Sequence, residues 1–225
     1  MGLSRSQRLD RLERATLYFV CEGRPLGHDP APLLEAALRG GADIIQLREK
    51  APRCAEELIA LADPFRRAAA AHEALFILND RPDLVDACGA DGVHVGQEDM
   101  PVAEARAAIG SDAIVGLSTH SPGQVRAAVL AHDDDRPDQI SVGPVWATPT
   151  KQGRPAAGIG LLGLAAREAD LPWFAIGGVD TENVAEVVVA GARRIVVVRA
   201  IRDAPDPEAA ARTLKAALTH EAPVR

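Results

Sequence analysis

Residues 31–50 read APLLEAALRGGADIIQLREK and contain one complete structural unit. The first nine, residues 31–39, are rich in Ala, Leu, Glu and Arg, which favours a helix. The pair Gly41-Ala42 follows and suits a helix C-cap that leads into the next element. Residues 43–47 are mostly apolar and favour a buried strand, which ends in a charged segment. This unit decides the fold because it recurs along the chain.

The strand and helix pattern occurs eight times. Strands are predicted at 17–20, 43–47, 75–78, 92–95, 113–117, 139–145, 173–176 and 194–198. Helices are predicted at 31–39, 54–71, 82–88, 102–109, 122–131, 161–168, 182–190 and 207–219. Strands that alternate with helices form parallel sheets, and eight such units fit an α/β fold of the closed (β/α)8 TIM barrel type. An open, doubly wound sheet is the alternative, but eight full units favour closure.

The domain organisation follows from the absence of any Ser/Gly-rich linker or break in composition. We expect a single domain over residues 1–225. Residues 1–15 are expected to form a solvated lead-in helix, with Leu9 and Leu12 packed on the barrel. Asp10 and Glu13 interrupt the arginines there and no apolar run follows, so a secretory signal is not indicated. No run approaches the roughly 18 apolar residues of a membrane span, so no membrane partner is predicted.

Composition excludes further classes of protein. The chain carries 25 Lys and Arg against 32 Asp and Glu, a formal net charge of −7 that repels phosphate backbones. Aromatic residues make up 3% of the chain, too few to stack single strands, so no nucleic-acid partner is expected. The three cysteines, Cys21, Cys54 and Cys88, have neither C-x-x-C nor zinc spacing, which predicts reduced thiols and a cytoplasmic protein. The oligomeric state stays open, a homo-oligomer included.

The active site of a TIM barrel lies at the carboxyl ends of its strands. After the second predicted strand, alternation places Gln46, Arg48 and Lys50 on one face, with Leu47 and Glu49 on the other. An amide and two cations directed at one cavity form a receptor for a polyanion. A surface ion-pair cluster is the alternative interpretation, and the position at a strand end favours binding.

Acidic residues follow the next two predicted strands. Asn79 and Asp80 come after the third strand, and Asp99 comes after the fourth. Two carboxylates at adjacent strand ends can hold Mg²⁺, which takes one or two carboxylates together with water and substrate phosphates. Alternatively, Asp80 caps the next helix and Asp99 lies in a turn before Pro101. Beside a polyanion receptor, we favour the magnesium site.

The fifth strand ends at Ser118, which can donate to a phosphate or act as an N-cap for the helix around Gln124. His94 and His120 are candidate acid–base groups, but a lone histidine is more often structural, and neither is predicted as the principal catalyst. The stretch 158–163 matches G-x-G-x-x-G. It lacks an immediately preceding strand and a well-placed acid about 20 residues on, so it is not interpreted as a dinucleotide site.

Three further loops suit phosphate. Residues 143–153, GPVWATPTKQG, place two hydroxyls and a cation between glycines and suit a lid, although the spacing is not that of a P-loop. Gly177 and Gly178 let an anion approach backbone N–H groups at the start of a helix through Asn183. The loops after strands seven and eight form the recurrent phosphate site of these barrels, and Arg199 follows strand eight. Two anionic substrates, or one bisphosphate, would fit.

Six motifs in this order carry a family resemblance: QLREK (46–50), LNDR (78–81), GVHVGQED (92–99), STH (118–120), GPVWATPTK (143–151) and AIGGV (175–179). Each is weak alone, but the ordered set resembles the thiamine-phosphate synthase family from about residue 17 to the final helix. The resemblance implies a barrel transferase. Such an enzyme joins 4-amino-2-methyl-5-hydroxymethylpyrimidine diphosphate to hydroxyethylthiazole phosphate, or to its carboxylate, and releases pyrophosphate.

The resemblance also implies a role for each site residue. The pyrimidine diphosphate would be bound by Gln46, Arg48, Lys50, Asn79, Ser118 and Lys151. The thiazole phosphate would meet Thr148, Thr150, Gly178, Val198 and Arg199, and Mg²⁺ would be held by Asp80 and Asp99. Leu47, Glu49 and Pro149 lie within these segments and are counted as substrate-binding. The residues counted as catalytic are Arg48, Lys50, Lys151 and Ser118, the cations among them because they would neutralise the leaving group.

One departure and three alternatives accompany this assignment. The family pattern has serine after the last strand, where this chain has Arg199, whose guanidinium could pair with the thiazole phosphate. A thiazole tautomerase with His120 as proton shuttle would not require the diphosphate receptor. A ligand-binding regulator would not require Asp80 and Asp99. A sugar-phosphate isomerase barrel is supported only by the phosphate site of strands seven and eight.

Overall fold

Parallel strands close into an eight-stranded barrel in the computed structural model, which describes residues 2–147 and 156–219. The strands are β1 (Leu17–Cys21), β2 (Ile44–Leu47), β3 (Leu75–Asn79), β4 (Gly92–Val95), β5 (Ile114–Thr119), β6 (Gln139–Val142), β7 (Trp173–Ile176) and β8 (Ile195–Val197). Each strand pairs with the next, and β8 pairs with β1 where Phe19 lies opposite Val197. The predicted (β/α)8 TIM barrel is therefore confirmed, and the open sheet is excluded.

Helices surround the barrel and connect its strands. They are α1 (Arg5–Arg14), α2 (Ala31–Arg39), α3 (Ala55–Ala71), α4 (Val85–Cys88), α5 (Val102–Ile109), α6 (Pro122–Leu130), α7 (Ile159–Glu168), α8 (Val184–Val189), α9 (Arg199–Arg202) and α10 (Pro207–Thr219). The short helix α9 was not predicted, and the helix expected at 82–88 is a 3-10 turn, Pro82–Leu84, followed by α4. Across the described residues, no helix has the length and apolar character needed to traverse a bilayer.

The sixth strand is shorter than the sequence predicts. It was expected to reach residue 145, but the ladder ends at Val142 because Gly143 and Pro144 follow. Proline has no backbone N–H and cannot continue a ladder. The N–H of Val145 instead donates to the carbonyl oxygen of Ile176, 2.9 Å away at the end of β7. The first residues after β6 are thereby held against the neighbouring strand.

The alternation of side chains along each strand divides the core into two layers. On β1, Phe19 faces the surrounding helices, where it belongs to the same apolar cluster as Phe65 and Phe76. Tyr18 faces the inside of the barrel and packs edge to face on Phe174, with ring centroids 5.6 Å apart. The helix α1 contributes Leu12 to this inner layer. Because both faces of every strand are buried, the strands are apolar almost throughout.

Three aspartates connect neighbouring strands at the amino end of the barrel by hydrogen bonds: Asp43, Asp91 and Asp138. Each precedes an even-numbered strand and accepts a backbone N–H at the start of the preceding strand, at distances between 2.8 and 3.1 Å. Asp91 and Asp138 also pair with arginines of α1, Arg8 at 3.0 Å and Arg5 at 2.6 Å. The helix α1 is thereby held across this end of the barrel, within the lead-in expected at 1–15.

The variant Asp43→Ala is expected to lower the free energy of unfolding by about 2–3 kcal/mol. Two N–H donors, those of Thr16 and Leu17, lose their acceptor, and Lys215 loses its partner. Urea denaturation measures the effect. Asp10→Ala, an exposed aspartate in α1, is the control and should stay within about 0.5 kcal/mol of the parent protein. An equally small change in Asp43→Ala would show that the hydrogen bonds and ion pair of Asp43 do not contribute to stability.

Candidate active site

The carboxyl ends of the strands open into a cavity of about 640 Å³. This volume is typical of small-molecule sites, which range over roughly 300–1,000 Å³. Most of the predicted site residues that the structure describes line this cavity: Gln46, Arg48, Asn79, Asp80, Asp99, Ser118, Gly178, Val198 and Arg199. Residues far apart in the sequence thus meet around one space, as the barrel topology requires. Thr148, Pro149, Thr150 and Lys151 lie outside the described residues.

The walls formed by β2 and β3 carry a hydrogen-bonded row of polar side chains. The buried amide of Gln46 donates to Oδ1 of Asn79 at 3.0 Å, and Nδ2 of Asn79 donates to a carboxylate oxygen of Asp80. Arg48 follows β2 on the same wall. Within residues 2–147 and 156–219, no carboxylate lies in ion-pair distance of its guanidinium. Its positive charge is therefore available to an anionic ligand.

The other three residues of the QLREK segment do not line the cavity. Leu47 is buried in the outer layer of the core, and Oε1 of Glu49 accepts the N–H of Gly23 at 2.6 Å. Lys50 is exposed. Gln46 and Arg48 line the cavity as predicted, whereas Lys50 does not: β2 ends at Leu47, the N–H of Arg48 still donates to the carbonyl oxygen of Cys21 at 2.9 Å, and Lys50 lies two residues further on. The side chains of Leu47 and Glu49 likewise have no contact with the cavity.

The two candidate metal ligands both line the cavity. Asp80 has a positive φ of 58°, and its N–H donates to the carbonyl oxygen of His94 at 3.0 Å, which holds it against β4. The alternative role as a helix cap is wrong, because the following 3-10 turn has no side-chain cap. Asp99 does hold its turn, since Oδ2 accepts the N–H of Gly96 at 2.8 Å. The described residues contain no group of three or more His, Cys, Asp or Glu that would form a metal site by itself.

Beneath these groups lies a set of buried polar side chains, which we call the polar floor: His94, Ser118, Gln139 and Ser141. Nε2 of His94 lies 3.0 Å from Oγ of Ser118, and Nδ1 lies 3.0 Å from Nε2 of Gln139. Ser118 does not cap the following helix, as the alternative interpretation had it. Ser121 caps α6 by accepting the N–H of Gln124.

Sequence reasoning did not single out Gln139 and Ser141. The signal that could have found Gln139 is the glycine at the inward position 116, because glycine inside a strand marks a close approach. A Cβ at residue 116 would lie 2.1 Å from Nε2 of Gln139 and 2.5 Å from Nδ1 of His94. The missing side chain therefore makes room for the polar floor.

The opposite side of the cavity is formed by the ends of β7 and β8. Gly177 and Gly178 have φ angles of 102° and 75°, a region that favours glycine. Nδ2 of Asn183 donates to the carbonyl oxygen of Gly178 at 2.8 Å, and α8 begins only at Val184, two residues later than predicted. Arg199 is the first residue of α9, and it is exposed where it lines the cavity.

A closed (β/α)8 barrel with a cation, two carboxylates and paired amides around one cavity defines an enzyme that acts on an anionic small molecule. A family model described as thiamine monophosphate synthase matches residues 17–201. The chain belongs to this family, and the resemblance inferred from its motifs is confirmed. Its activity is thiamine-phosphate synthesis, a transferase reaction.

Individual relatives agree with this assignment. A thiamine-phosphate synthase of Acidothermus cellulolyticus is 50% identical over 208 residues, which cover 92% of this chain and 96% of the relative. One of Mycobacterium leprae is 47% identical over 218 residues, covering 93% of each chain. The solved structure of thiamine phosphate pyrophosphorylase from Pyrococcus furiosus has a TM-score of 0.81 at 29% identity, over 94% of this chain and 97% of that one. These similarities favour the synthase over the tautomerase and regulator alternatives.

Proposed function

We propose that the cavity binds a pyrimidine diphosphate and a thiazole phosphate together and joins them, with release of thiamine phosphate and pyrophosphate. The observation that carries this proposal is the wall formed by β2, β3 and β4. There a guanidinium with no ion-pair partner among the described residues, two amides and two carboxylates line one space. A monophosphate isomerase has no need of such a receptor. A diphosphate that must leave does need one.

The chemistry requires charge stabilisation more than proton transfer. The C–O bond between the pyrimidine methylene and the diphosphate breaks, and the electron-rich aminopyrimidine stabilises the resulting cation. The thiazole nitrogen then attacks, so one C–N bond forms. Arg48 neutralises the charge that develops on the departing pyrophosphate, Ser118 donates a hydrogen bond to it, and the walls hold the thiazole close. The exposed Lys50 is also proposed to help neutralise the charge on pyrophosphate. The same role is proposed for Lys151, which lies outside the described residues.

The residues present fit a magnesium ion. Asp80 and Asp99 line the cavity from adjacent strand ends, and Mg²⁺ is commonly held by one or two carboxylates plus substrate phosphates and water. When bound, the ion would supply positive charge to the diphosphate oxygens. The protein's own part is to position the carboxylates: the side-chain amide of Asn79 donates to Asp80, and the backbone N–H of Gly96 donates to Asp99.

The thiazole phosphate is proposed to lie at the ends of β7 and β8. Gly178 and Val198 would offer backbone groups and Arg199 its guanidinium, together with Thr148, Pro149 and Thr150 of the loop after β6. A hydrogen bond from Arg202 lowers the pKa of Asp203, and the nearby Arg199 lowers it further. Asp203 is therefore ionised, and both Asp203 and Arg199 line the cavity.

The variant Arg199→Ala is expected to weaken binding of hydroxyethylthiazole phosphate by about 10-fold or more, because a hydrogen bond to a charged group is worth about 1.5–3 kcal/mol. Isothermal titration with this ligand measures the effect, and Arg199→Lys should restore part of it. Arg193→Ala is the matched control, since Arg193 is exposed and precedes the same strand at the other end of the barrel. Equal affinity in the parent and Arg199→Ala would remove Arg199 from the site.

The test of the whole proposal is direct synthesis. The purified protein, mixed with the pyrimidine diphosphate, hydroxyethylthiazole phosphate and Mg²⁺, should produce thiamine phosphate and an equal amount of pyrophosphate. Substituting the thiazole carboxylate phosphate shows which form is preferred. No product with both substrates present would contradict the proposal.

The setting of the enzyme belongs to the same proposal. All three cysteines are free, which supports a reducing compartment, and we place the enzyme in the cytoplasm. Its partners are the two anionic substrates. That it binds neither nucleic acid nor membrane stays a prediction, and the oligomeric state stays open.

A further inference from the structure

The reaction described above uses Ser118 of the polar floor but gives no role to His94, Gln139 and Ser141. The four residues of the polar floor are only 2–8% exposed, and a buried polar group is destabilising unless it is hydrogen-bonded. Near the amino ends of β1, β2 and β3, the side chains inside the barrel form a hydrophobic cluster that includes Tyr18, Ile44 and Leu75. On β2 and β3 the inward polar side chains are Gln46 and Asn79 of the proposed diphosphate receptor, whereas the polar floor lies on β4, β5 and β6 beside that receptor. This placement points to a role in the site.

The hydrogen bonds of the polar floor have a defined direction. The side-chain Nε2 of Gln139 is an amide donor, so the ring Nδ1 of His94 accepts from it at 3.0 Å. A neutral imidazole that accepts at Nδ1 carries its hydrogen on Nε2. That nitrogen lies 3.0 Å from Oγ of Ser118 and 3.4 Å from Oγ of Ser141. His94 therefore donates to Ser118.

The direction matters because a hydroxyl group has one hydrogen. If His94 accepted from Ser118, the hydroxyl hydrogen would be consumed inside the protein. Because His94 donates instead, the Ser118 hydroxyl keeps its hydrogen for an acceptor in the cavity that Ser118 lines. A diphosphate oxygen is such an acceptor.

We propose that His94 is a positioning residue whose tautomer, fixed by Gln139, directs the hydroxyl hydrogen of Ser118 at the diphosphate. The inference rests on the proposed role of Ser118 in substrate binding. In this role His94, which also lines the cavity, acts through Ser118. Gly116 belongs to the same device, since any side chain there would displace Gln139 and His94.

A double-mutant cycle tests whether His94 acts through Ser118. The variants are Ser118→Ala, His94→Leu and the double variant, with kcat and KM measured for the pyrimidine diphosphate. Each single variant is expected to lower kcat about 10-fold to 100-fold, as the loss of one hydrogen bond to a charged group would. The double variant should be no slower than Ser118→Ala alone. Multiplied losses would overturn the inference while leaving the proposed role of Ser118 intact. A fully active Ser118→Ala would overturn both.

A conservative substitution separates positioning from structural support. The amide nitrogen of glutamine reaches about as far as Nε2 of histidine, so His94→Gln should recover most of the kcat lost in His94→Leu. If both variants fold and His94→Gln is equally slow, positioning is overturned. The control is Thr119→Val, on the outward face of β5, the strand that carries Ser118. It removes a buried hydroxyl that donates to the carbonyl oxygen of Ser141 at 2.9 Å. It should lower the thermal midpoint without changing kcat.

A spectroscopic measurement keeps the inference testable if His94→Leu does not fold. Nitrogen-15 spectra of the histidine-labelled parent enzyme report which ring nitrogen of His94 carries the hydrogen. We expect hydrogen on Nε2 only, and a mixture of tautomers in Gln139→Leu. Hydrogen on Nδ1 in the parent enzyme would overturn the inference.

Discussion

Replacing both Asp80 and Asp99 with asparagine is expected to reduce thiamine phosphate formation at least ~10³-fold. A metal ion that stabilises a developing negative charge is worth several kcal/mol, and each 1.4 kcal/mol is about tenfold in rate. Asparagine has nearly the size of aspartate and keeps an oxygen to accept from Asn79 or Gly96, so the loops should be retained. Only the charge that holds the ion is removed. Pyrophosphate release, followed over a range of Mg²⁺ concentrations, measures the loss.

The single variants separate metal binding from folding. Asp80→Asn and Asp99→Asn should each raise the Mg²⁺ concentration needed for half the maximal rate, and high Mg²⁺ should recover part of it. Asp86→Asn is the matched control, because Asp86 is an exposed aspartate in the short helix α4. Unchanged rates and Mg²⁺ dependence in the double variant would exclude these two carboxylates as the metal site.

The fold could be predicted because each repeating unit must bury one face against the next. The strand bounds of β4 and β7 and the helix bounds of α2, α5 and α10 agree with the prediction to the residue. In these elements the apolar pattern, the glycines and the prolines all mark the same limits. The sixth strand was overestimated because Val145 is buried and apolar yet bonds outside the ladder of β6.

The site could be predicted only where backbone geometry fixes the direction of a side chain. Gln46 lies within β2, so its inward position follows from alternation, whereas Lys50 lies beyond the ladder and its position does not. Arg48 lines the cavity although it too lies past the last strand residue. The polar floor depends on register between strands, with Gly116 opposite Gln139 and Ser118 opposite Ser141. The glycine at 116 signals a close approach, but the residue that approaches it follows from the pairing of β5 with β6 in the folded barrel.

The variant Gly177→Ala is expected to lower kcat/KM about 100-fold and the free energy of unfolding by about 2–4 kcal/mol. Its φ of 102° is unfavourable for alanine, and the added Cβ would lie 2.4 Å from Cβ and 2.5 Å from Cα of Pro144. Either β7 or the loop after β6 must then move. The carbonyl oxygen of Gly177 accepts the N–H of Trp146 at 3.0 Å, so the movement reaches both sides of the proposed thiazole phosphate site. Steady-state kinetics with the thiazole substrate varied, and urea denaturation, measure the two effects.

Gly160→Ala makes the same chemical change at a glycine with the opposite surroundings. Gly160 lies in α7 and belongs to the G-x-G-x-x-G stretch that is not interpreted as a nucleotide site. Among the described residues, no heavy atom outside its own helix and its chain neighbours lies within 4 Å of an added Cβ. Alanine is the better helix former, so stability should be unchanged or raised by up to about 1 kcal/mol, with the same kcat/KM. Comparing the two variants separates the effect of the backbone geometry at Gly177 from the effect of replacing a glycine with alanine. If Gly177→Ala kept the kcat/KM of Gly160→Ala, the close approach between the ends of β6 and β7 would not be what shapes the site. The positive φ of Gly177 would then contribute to the stability of the barrel and not to kcat/KM.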